Sequence, residues 1–314
     1  MIGIEDVEAA RDVVKGRIHR TPLVRSSTLG ERFGVELWFK LEPFQKTGSF
    51  KVRGVLNKLA RMSEEERSRG VVTLSAGNHA QALAWAAARE GMEAIVVMPA
   101  GAVRSKVEAT RAYGGEVVLT EGDLLETCLA IREERGLTLV HPFDDPAIIA
   151  GQGTVGLEIL EDLPELDAVF AGVGGGGLVS GIATAVKARR PEARVIGVEP
   201  EGAAAMRAGL DAGEPVRLES METVADGLAA PFAGRHTLAH VQARVDAIEV
   251  VPDAAIVEAM RLVFDRVKVV AEPAAAASLA GLAAGRVPLT EGAAVACVLS
   301  GGNIDTERLV KLLG

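Results

Sequence analysis

Short β-branched runs alternate with longer segments of helical period along nearly the whole chain, and this alternation limits the fold more than any other feature. Strands are expected at Glu36–Glu42, Val71–Ser75, Ala94–Pro99, Glu116–Thr120, Thr138–Phe143, Ala168–Val173, Arg194–Pro200, Ala247–Pro252 and Ala293–Ser300. Helices are expected at Phe50–Ala60, His79–Glu90, Val103–Tyr113, Asp123–Arg135, Pro146–Asp162, Leu178–Arg189 and Asp253–Lys268. Gly70, Gly91, Gly114, Gly115, Gly136 and Pro191 punctuate the junctions. Such alternation predicts mostly parallel sheets covered by helices on both faces. So many strands exceed what one unit of ~150 residues holds, so two open, twisted α/β domains are expected. No low-complexity linker or internal repeat separates them, which predicts a chain that crosses between domains and returns.

Composition excludes several function classes. A net charge of −9 and a pI near 5.3 argue against a nucleic-acid partner, because phosphate-backbone affinity needs clustered Lys and Arg. No run approaches the ~18 consecutive apolar residues of a membrane span. The N-terminus is an acidic amphipathic segment without a hydrophobic run or cleavage site, so a cytoplasmic location is expected. Cys128 and Cys297 are the only cysteines, too few for a disulfide framework, and read as small core residues in a reducing compartment. Asparagine is scarce: Asn57, Asn78 and Asn303 are the only ones, and two of the three fall inside Gly-rich motifs.

The first of these chemistry-bearing segments is Leu41-Glu42-Pro43-Phe44-Gln45-Lys46-Thr47-Gly48-Ser49-Phe50-Lys51-Val52-Arg53-Gly54, which follows a strand and opens a helix. Thr47, Gly48 and Ser49 leave backbone N–H groups free at the helix start, an anion site. Lys51 sits one turn inside. Partly desolvated, and near Lys46 and Arg53, it would have the lowered pKa that imine chemistry requires. The same pattern also describes an ordinary capped helix with a solvated lysine. It is not a P-loop, for no Gly-x-x-x-x-Gly-Lys string is present.

Three Gly-rich loops also follow strands. Ser75-Ala76-Gly77-Asn78-His79 presents hydroxyl, amide and N–H donors at a helix start. Gly172-Val173-Gly174-Gly175-Gly176-Gly177-Leu178 permits close backbone approach to a phosphate. That string also satisfies Gly-x-Gly-x-x-Gly, and Glu199 ends the next strand 22 residues after Gly177, so a nicotinamide oxidoreductase is an alternative. Ser300-Gly301-Gly302-Asn303 closes the last strand.

Thr47-Gly48-Ser49-Phe50-Lys51-Val52-Arg53-Gly54 resembles the pyridoxal-phosphate attachment site of the serine/threonine dehydratase family, and the similarity runs through most of the chain. The resemblance implies the fold type II architecture, like that of the tryptophan synthase β chain. It further implies a large cofactor-binding domain at 1–51 and 146–314 and a small domain at 52–145. Lys51 would bind pyridoxal 5'-phosphate covalently and act as base. Phe50, Asn78, Leu178, Gly227, Glu272 and Ser300 would line the cofactor, and Gly174, Gly175, Gly176 and Gly177 would hold its phosphate. Ser75, Asn78 and His79 would grip the carboxylate of a hydroxy amino acid. Ser300 would face the ring nitrogen, and a neutral hydroxyl there makes the ring a weaker electron sink than a carboxylate partner would.

The reaction so implied is α,β-elimination of L-threonine to 2-oxobutanoate and ammonia, with L-serine to pyruvate as a companion. Serine racemases resemble the chain through the same motifs, but carry Ser at the position of Ala76 and Asn at that of Phe143. A non-catalytic amino-acid sensor is a further alternative. Metal-binding members hold Mg²⁺ or Ca²⁺ with residues matching Glu199 and the carbonyl of Ala203, but their Asp is Ala205 here. Regulation through a long C-terminal extension, as in biosynthetic members of the family, is not expected. A homo-oligomer, dimer or tetramer, is expected. His236 and His240 read as a solvated helix, and Ser63–Arg69 as a charged connector.

Overall fold

The computed structural model describes all of residues 1–314. In chain order the strands are β1 (Leu23–Arg25), β2 (Glu36–Leu41), β3 (Val71–Leu74), β4 (Ala94–Pro99), β5 (Glu116–Thr120), β6 (Thr138–Leu139), β7 (Ala168–Gly172), β8 (Arg194–Pro200), β9 (Ala247–Val251) and β10 (Ala294–Leu299). They form two sheets. The larger runs β1-β2-β10-β7-β8-β9 and the smaller β5-β4-β3-β6. All pairings are parallel except β1 with β2.

The helices are α1 (Ile4–Val14), α2 (Ser27–Phe33), α3 (Lys51–Ala60), α4 (Glu64–Arg69), α5 (Asn78–Arg89), α6 (Arg104–Ala112) and α7 (Leu124–Arg135). After these come α8 (Pro146–Asp162), α9 (Gly177–Arg189), α10 (Ala205–Ala212), α11 (Arg235–Arg244), α12 (Asp253–Leu262), α13 (Pro273–Ala283) and α14 (Thr306–Leu313).

Strand β10 shows why helices lie on both faces. Every residue of it is buried, as a central parallel strand requires. Val295, Cys297 and Leu299 join a core with α12 and α13, whereas Ala296 and Val298 join one with α8 and α9. The smaller sheet is covered in the same way. Val71 packs with Val55, Leu59 and Leu83 of α3 and α5, while Val72, Ile95 and Val97 pack with Cys128 of α7. Ile148 of α8 belongs to the first of these clusters, so α3 is wedged between the two halves of the molecule.

Several elements depart from expectation. β1 is an edge strand too short to show a period in sequence. The expected strand Thr138–Phe143 ends at Leu139, because His141 clips a turn: its Nδ1 accepts the N–H groups of Phe143 and Asp144 at 3.3 and 2.9 Å. Ser63–Arg69 is no bare connector but contains a short helix with a Ser63–Glu66 capping box. The expected helix Asp253–Lys268 changes to a π turn over Val263–Val267. His240 is not solvated. It is buried, and its Nε2 accepts the Ile2 N–H at 3.0 Å, whereas His236 is exposed. Cys128 and Cys297 are buried and unpaired. No helix is long and apolar enough to cross a membrane.

Candidate active site

The Gly-rich loops all leave the C-terminal ends of parallel strands, where open α/β sheets bind ligands. The lysine segment leaves β2, the tetraglycine loop leaves β7, Ser300–Asn303 leaves β10, and Ser75–Asn78 leaves β3 of the smaller sheet. The lysine segment and the Ser75–Asn78 loop meet the loop after β10 at Gly301, and the tetraglycine loop joins them through Phe143, next to the Pro142 carbonyl that Lys51 binds. A Cβ on Gly301 would fall 2.5 Å from Glu272 Oε1, 3.0 Å from Ser49 Cβ and 3.2 Å from Asn78 Nδ2. Only a glycine admits that convergence.

Main-chain bonds stitch the lysine segment to the loop after β10. Phe50 N–H donates to Ser300 O at 3.1 Å, Gly302 N–H donates to Gly48 O at 2.9 Å, and Ser49 bridges to Gly301. Thr47 and Gly48 are both left-handed, with φ of 62° and 71°. Lys51 is the first residue of α3. Its Nζ lies 5.2 Å from the Phe50 ring centre and donates to Pro142 O at 2.9 Å. Burial pulls its pKa down to about 8, against the opposing pull of Glu272. The neighbouring cations expected from sequence play no part. Arg53 points away from the cleft into a buried cluster with Glu42 and Glu158.

Asn78 sits at the hub of a side-chain chain. Its Nδ2 donates to Glu272 Oε1, and its Oδ1 accepts from Asn303 Nδ2, both at 2.7 Å. Asn303 Nδ2 also donates to Thr47 O at 2.8 Å, which ties three loops together. Glu272 is 6% exposed, and burial raises its carboxyl to about 7. Gly227 lies beside it, 3.9 Å from Glu272 Oε1 to a built Cβ. Ser300, one residue before Gly301, is buried.

His79 differs from its expected side-chain role. Its ring is 2% exposed, lies 3.1 Å from Val140 O through Nε2, and leaves Nδ1 without a partner. Burial, with the charge of Lys51, drops its pKa to about 3. With Nε2–H spent on Val140 O, the ring has no donor left for an anion. What the loop offers is main chain: the N–H groups of Asn78, His79 and Ala80 have no acceptor within the chain, while Gly77 N–H donates to Ser75 Oγ at 3.2 Å.

The tetraglycine loop is buried at Gly175, Gly176 and Gly177, and Gly176 has a φ of +91°. None of the N–H groups of Gly174, Gly175, Gly176, Gly177 and Leu178 finds an acceptor within the chain. Buried, unpaired N–H groups in such a run call for an external anion. The reason for glycine itself is broader than phosphate approach. A Cβ on Gly175 would lie 2.3 Å from the Phe143 ring, one on Gly174 3.1 Å from Leu228 backbone, and one on Gly176 2.4 Å from Met206. Leu178 turns its side chain into the core that the larger sheet shares with α8 and α9.

Glu199 does not serve the expected metal or the ribose of a dinucleotide. It is fully buried, and its two oxygens accept the N–H groups of Met206 and Arg207 at 2.7 and 2.8 Å, capping α10. Burial raises its pKa to about 7. Ala203 is a buried residue of the preceding turn, Ala205 offers no carboxylate, and no group of three or more His, Cys, Asp or Glu stands ready for an ion. The site does not fit a divalent cation.

It does fit pyridoxal phosphate. The tetraglycine N–H groups, without acceptors in the chain, suit a phosphate, and a desolvated lysine amine lies in the same cleft. The buried hydroxyls of Ser49 and Thr47 also have no partner. Sequence reasoning missed Asn303 as a site residue, although its place among the three asparagines was a signal. It also missed the Pro142 carbonyl, for which a backbone acceptor leaves no trace in residue type.

The L-threonine ammonia-lyase of Thermotoga maritima is 45% identical over 100% of this chain and 78% of its own length. The catabolic L-threonine dehydratase TdcB of Escherichia coli is 41% identical over 100% of this chain and 96% of its own. The structure of maize serine racemase superposes with a TM-score of 0.94 at 38% identity, covering 98% of this chain and 96% of that one. A family profile described as pyridoxal-phosphate dependent enzyme matches residues 14–301. With the lysine, the glycine cradle and the two parallel sheets in place, the chain belongs to the pyridoxal-phosphate dependent enzymes of fold type II.

Proposed function

We propose that this protein is a threonine ammonia-lyase, converting L-threonine to 2-oxobutanoate and ammonia and acting also on L-serine. One observation carries the reading: Lys51 Nζ, with its pKa lowered to about 8, lies in the cleft where the Gly-rich loops converge. The names of the full-length relatives support it.

When bound, pyridoxal phosphate supplies an electron-withdrawing ring that acidifies the α-proton of an attached amino acid. Lys51 would hold it, and the N–H groups of Gly174 to Leu178 would bind its phosphate. Asn78 and Ser300 are assigned to the ring by resemblance, with Phe50, Gly227 and Glu272 around it. The substrate carboxylate is bound by Ser75 and by the N–H groups of Asn78 and His79. Freed by substrate, the Lys51 amine takes the α-proton. Loss of the β-hydroxyl as water, the proton taken up by Lys51 balancing the leaving hydroxide, would give 2-aminocrotonate, whose imine tautomer hydrolyses to the keto acid and ammonia. Exposed Phe44, Phe264 and Val270 support a homo-oligomer, and the unpaired buried thiols suit a cytoplasmic location. Residues 52–145 are proposed as the small domain, supported by their containing the whole smaller sheet.

Serine racemization is the second reading, favoured by the maize structure. It needs an acid on the face of the substrate opposite Lys51. Ala76 stands where the racemases carry a serine hydroxyl, and its methyl group cannot deliver a proton. The deciding measurement is keto-acid release from L-threonine and L-serine by the cofactor-loaded protein, with chiral analysis of the remaining serine. Release of 2-oxobutanoate supports the lyase; D-serine without keto acid replaces it with the racemase.

A further inference from the structure

Arg53 lies two residues beyond Lys51 on α3 but faces the other way, into charged side chains that the proposed reaction does not use. Its Nε and Nη2 donate to the two oxygens of Glu42, each at 2.8 Å. Its Nη1 and Nη2 donate to the two oxygens of Glu158 at 2.7 and 2.9 Å, and Nη1 also donates to Thr154 Oγ1 at 3.1 Å. Lys40 closes the cluster, with Nζ donating at 2.6 Å to both Glu158 Oε2 and Thr21 O. Lys40, Glu42 and Arg53 are 0% exposed and the Glu158 side chain 13%. Two cations face two carboxylates, so no net charge is buried.

A second observation concerns the same turn of helix. A Cβ on Gly151 of α8 would fall 2.5 Å from Gly54 Cα and 2.6 Å from Arg53 O, and one on Gly54 2.8 Å from Ile148 O. The first turn of α3 therefore lies backbone to backbone on α8. The glycines set the distance between the helices. The planar guanidinium, clamped between the carboxylate of Glu42, just after β2, and that of Glu158 on α8, sets the rotation of α3 about its own axis.

We propose that the Lys40–Glu42–Arg53–Glu158 cluster is a positioning device for Lys51, fixing α3 against β2 and α8 so that Nζ is held in the cleft at the Pro142 carbonyl. Well-packed apolar side chains of similar volume are often as stabilising as a buried ion cluster, yet they tolerate small rotations that a doubly bidentate guanidinium does not. Rotation at the first residue of α3 moves Nζ directly, and small misplacements of a reacting group are costly. The inference rests on Lys51 carrying the reaction.

The test compares the cofactor-loaded wild type with Glu158→Gln, Thr154→Val and a control, Ile256→Val, in the α12 core. The readouts are kcat, KM for L-threonine, melting temperature and the visible absorbance of lysine-bound cofactor per folded protein. Glu158→Gln is expected to lower kcat about tenfold or more with KM within about twofold, and to reduce the lysine-bound absorbance. Thr154→Val moves both in the same direction by less, while Ile256→Val shifts only the melting temperature. Folded variants with wild-type kcat and absorbance, whatever their melting temperature, overturn the proposal. Where Glu158→Gln does not fold, Thr154→Val decides, because it keeps the side chain's shape and both carboxylates, losing only the bond from Arg53 and the one to Gly151 O within α8. A wild type that releases no keto acid, with absorbance still responding to these variants, sinks the lyase reading and leaves the positioning role standing.

Discussion

Burial shifts the pKa values of Lys51 and His79 in the cleft, and each shift gives a prediction. Lys51 is desolvated to a pKa of about 8, so roughly a tenth of its amine is unprotonated at pH 7, far more than for an ordinary lysine. Lys51→Ala is expected to abolish the visible absorbance of lysine-bound cofactor and to lower keto-acid release by about 10²–10⁴-fold; a retained band in the variant would remove Lys51 from both roles. His79 titrates near 3 in the fold against an ordinary 6.5. As pH falls below 6.5 the unfolded chain binds a proton that the folded chain refuses. The stabilisation is therefore complete above 6.5 and lost toward pH 3. His79→Gln, which keeps a donor for Val140 O, should flatten that acid limb. Melting temperature followed from pH 7 to 4 checks this, and parallel curves for the two proteins would contradict it. Glu199 and Glu272, each raised to about 7, act with the opposite sign. Their stabilisation is complete below 4.5 and fades as pH rises through 7, so comparison with the parent is essential.

At the level of elements, the tetraglycine loop is shaped as much by its neighbours as by the phosphate it is proposed to bind. The turn His141–Asp144 lays the Phe143 ring on Gly175, with His141 edge-on at 4.6 Å, and its Asp144 carboxylate accepts the N–H groups of Arg235, His236 and Thr237 at the start of α11. Gly175→Ala should therefore cost about 1–3 kcal/mol by overpacking. Much of that loss should return in the double variant Gly175→Ala/Phe143→Leu, which gives the added methyl room. A denaturant-based double-mutant cycle measures the coupling, and strict additivity would show that Phe143 is not what excludes a side chain at 175.

Across the whole molecule, α6 of the smaller sheet reaches over to the larger one. Lys106 Nζ donates to Asp226 Oδ2 at 2.7 Å, Arg308 Nη1 reaches the same oxygen at 3.0 Å, and Ser105 Oγ donates to Asp305 Oδ1 at 2.7 Å. Asp226 adjoins Gly227, so this polar latch closes beside the cleft. The pair is partly exposed, and such pairs contribute about 0–1 kcal/mol. Lys106→Met should hardly move the melting temperature, yet should speed hydrogen exchange in α6, where opening is local. Unchanged exchange there would show that packing alone holds the halves together.

The sequence by itself determined the two-sheet α/β architecture and most strand positions, because buried parallel strands demand apolar runs and their loops demand glycine. It also pointed to the Gly-rich loops, whose glycines stand at strand ends, while the roles of Lys51, Asn78 and Ser300 came from resemblance to a known family. Local pattern could not say what each group faces. Arg53 reads as a neighbour of Lys51 yet turns its charge into the interior. Glu199 reads as a ligand yet caps α10, and the His79 ring reads as a donor yet spends its proton on Val140. These outcomes depend on contacts between residues far apart in the chain, such as Asn303 with Thr47 and Asn78. Burial and hydrogen-bond partners exist only once the strands are ordered, and tertiary structure alone decided them.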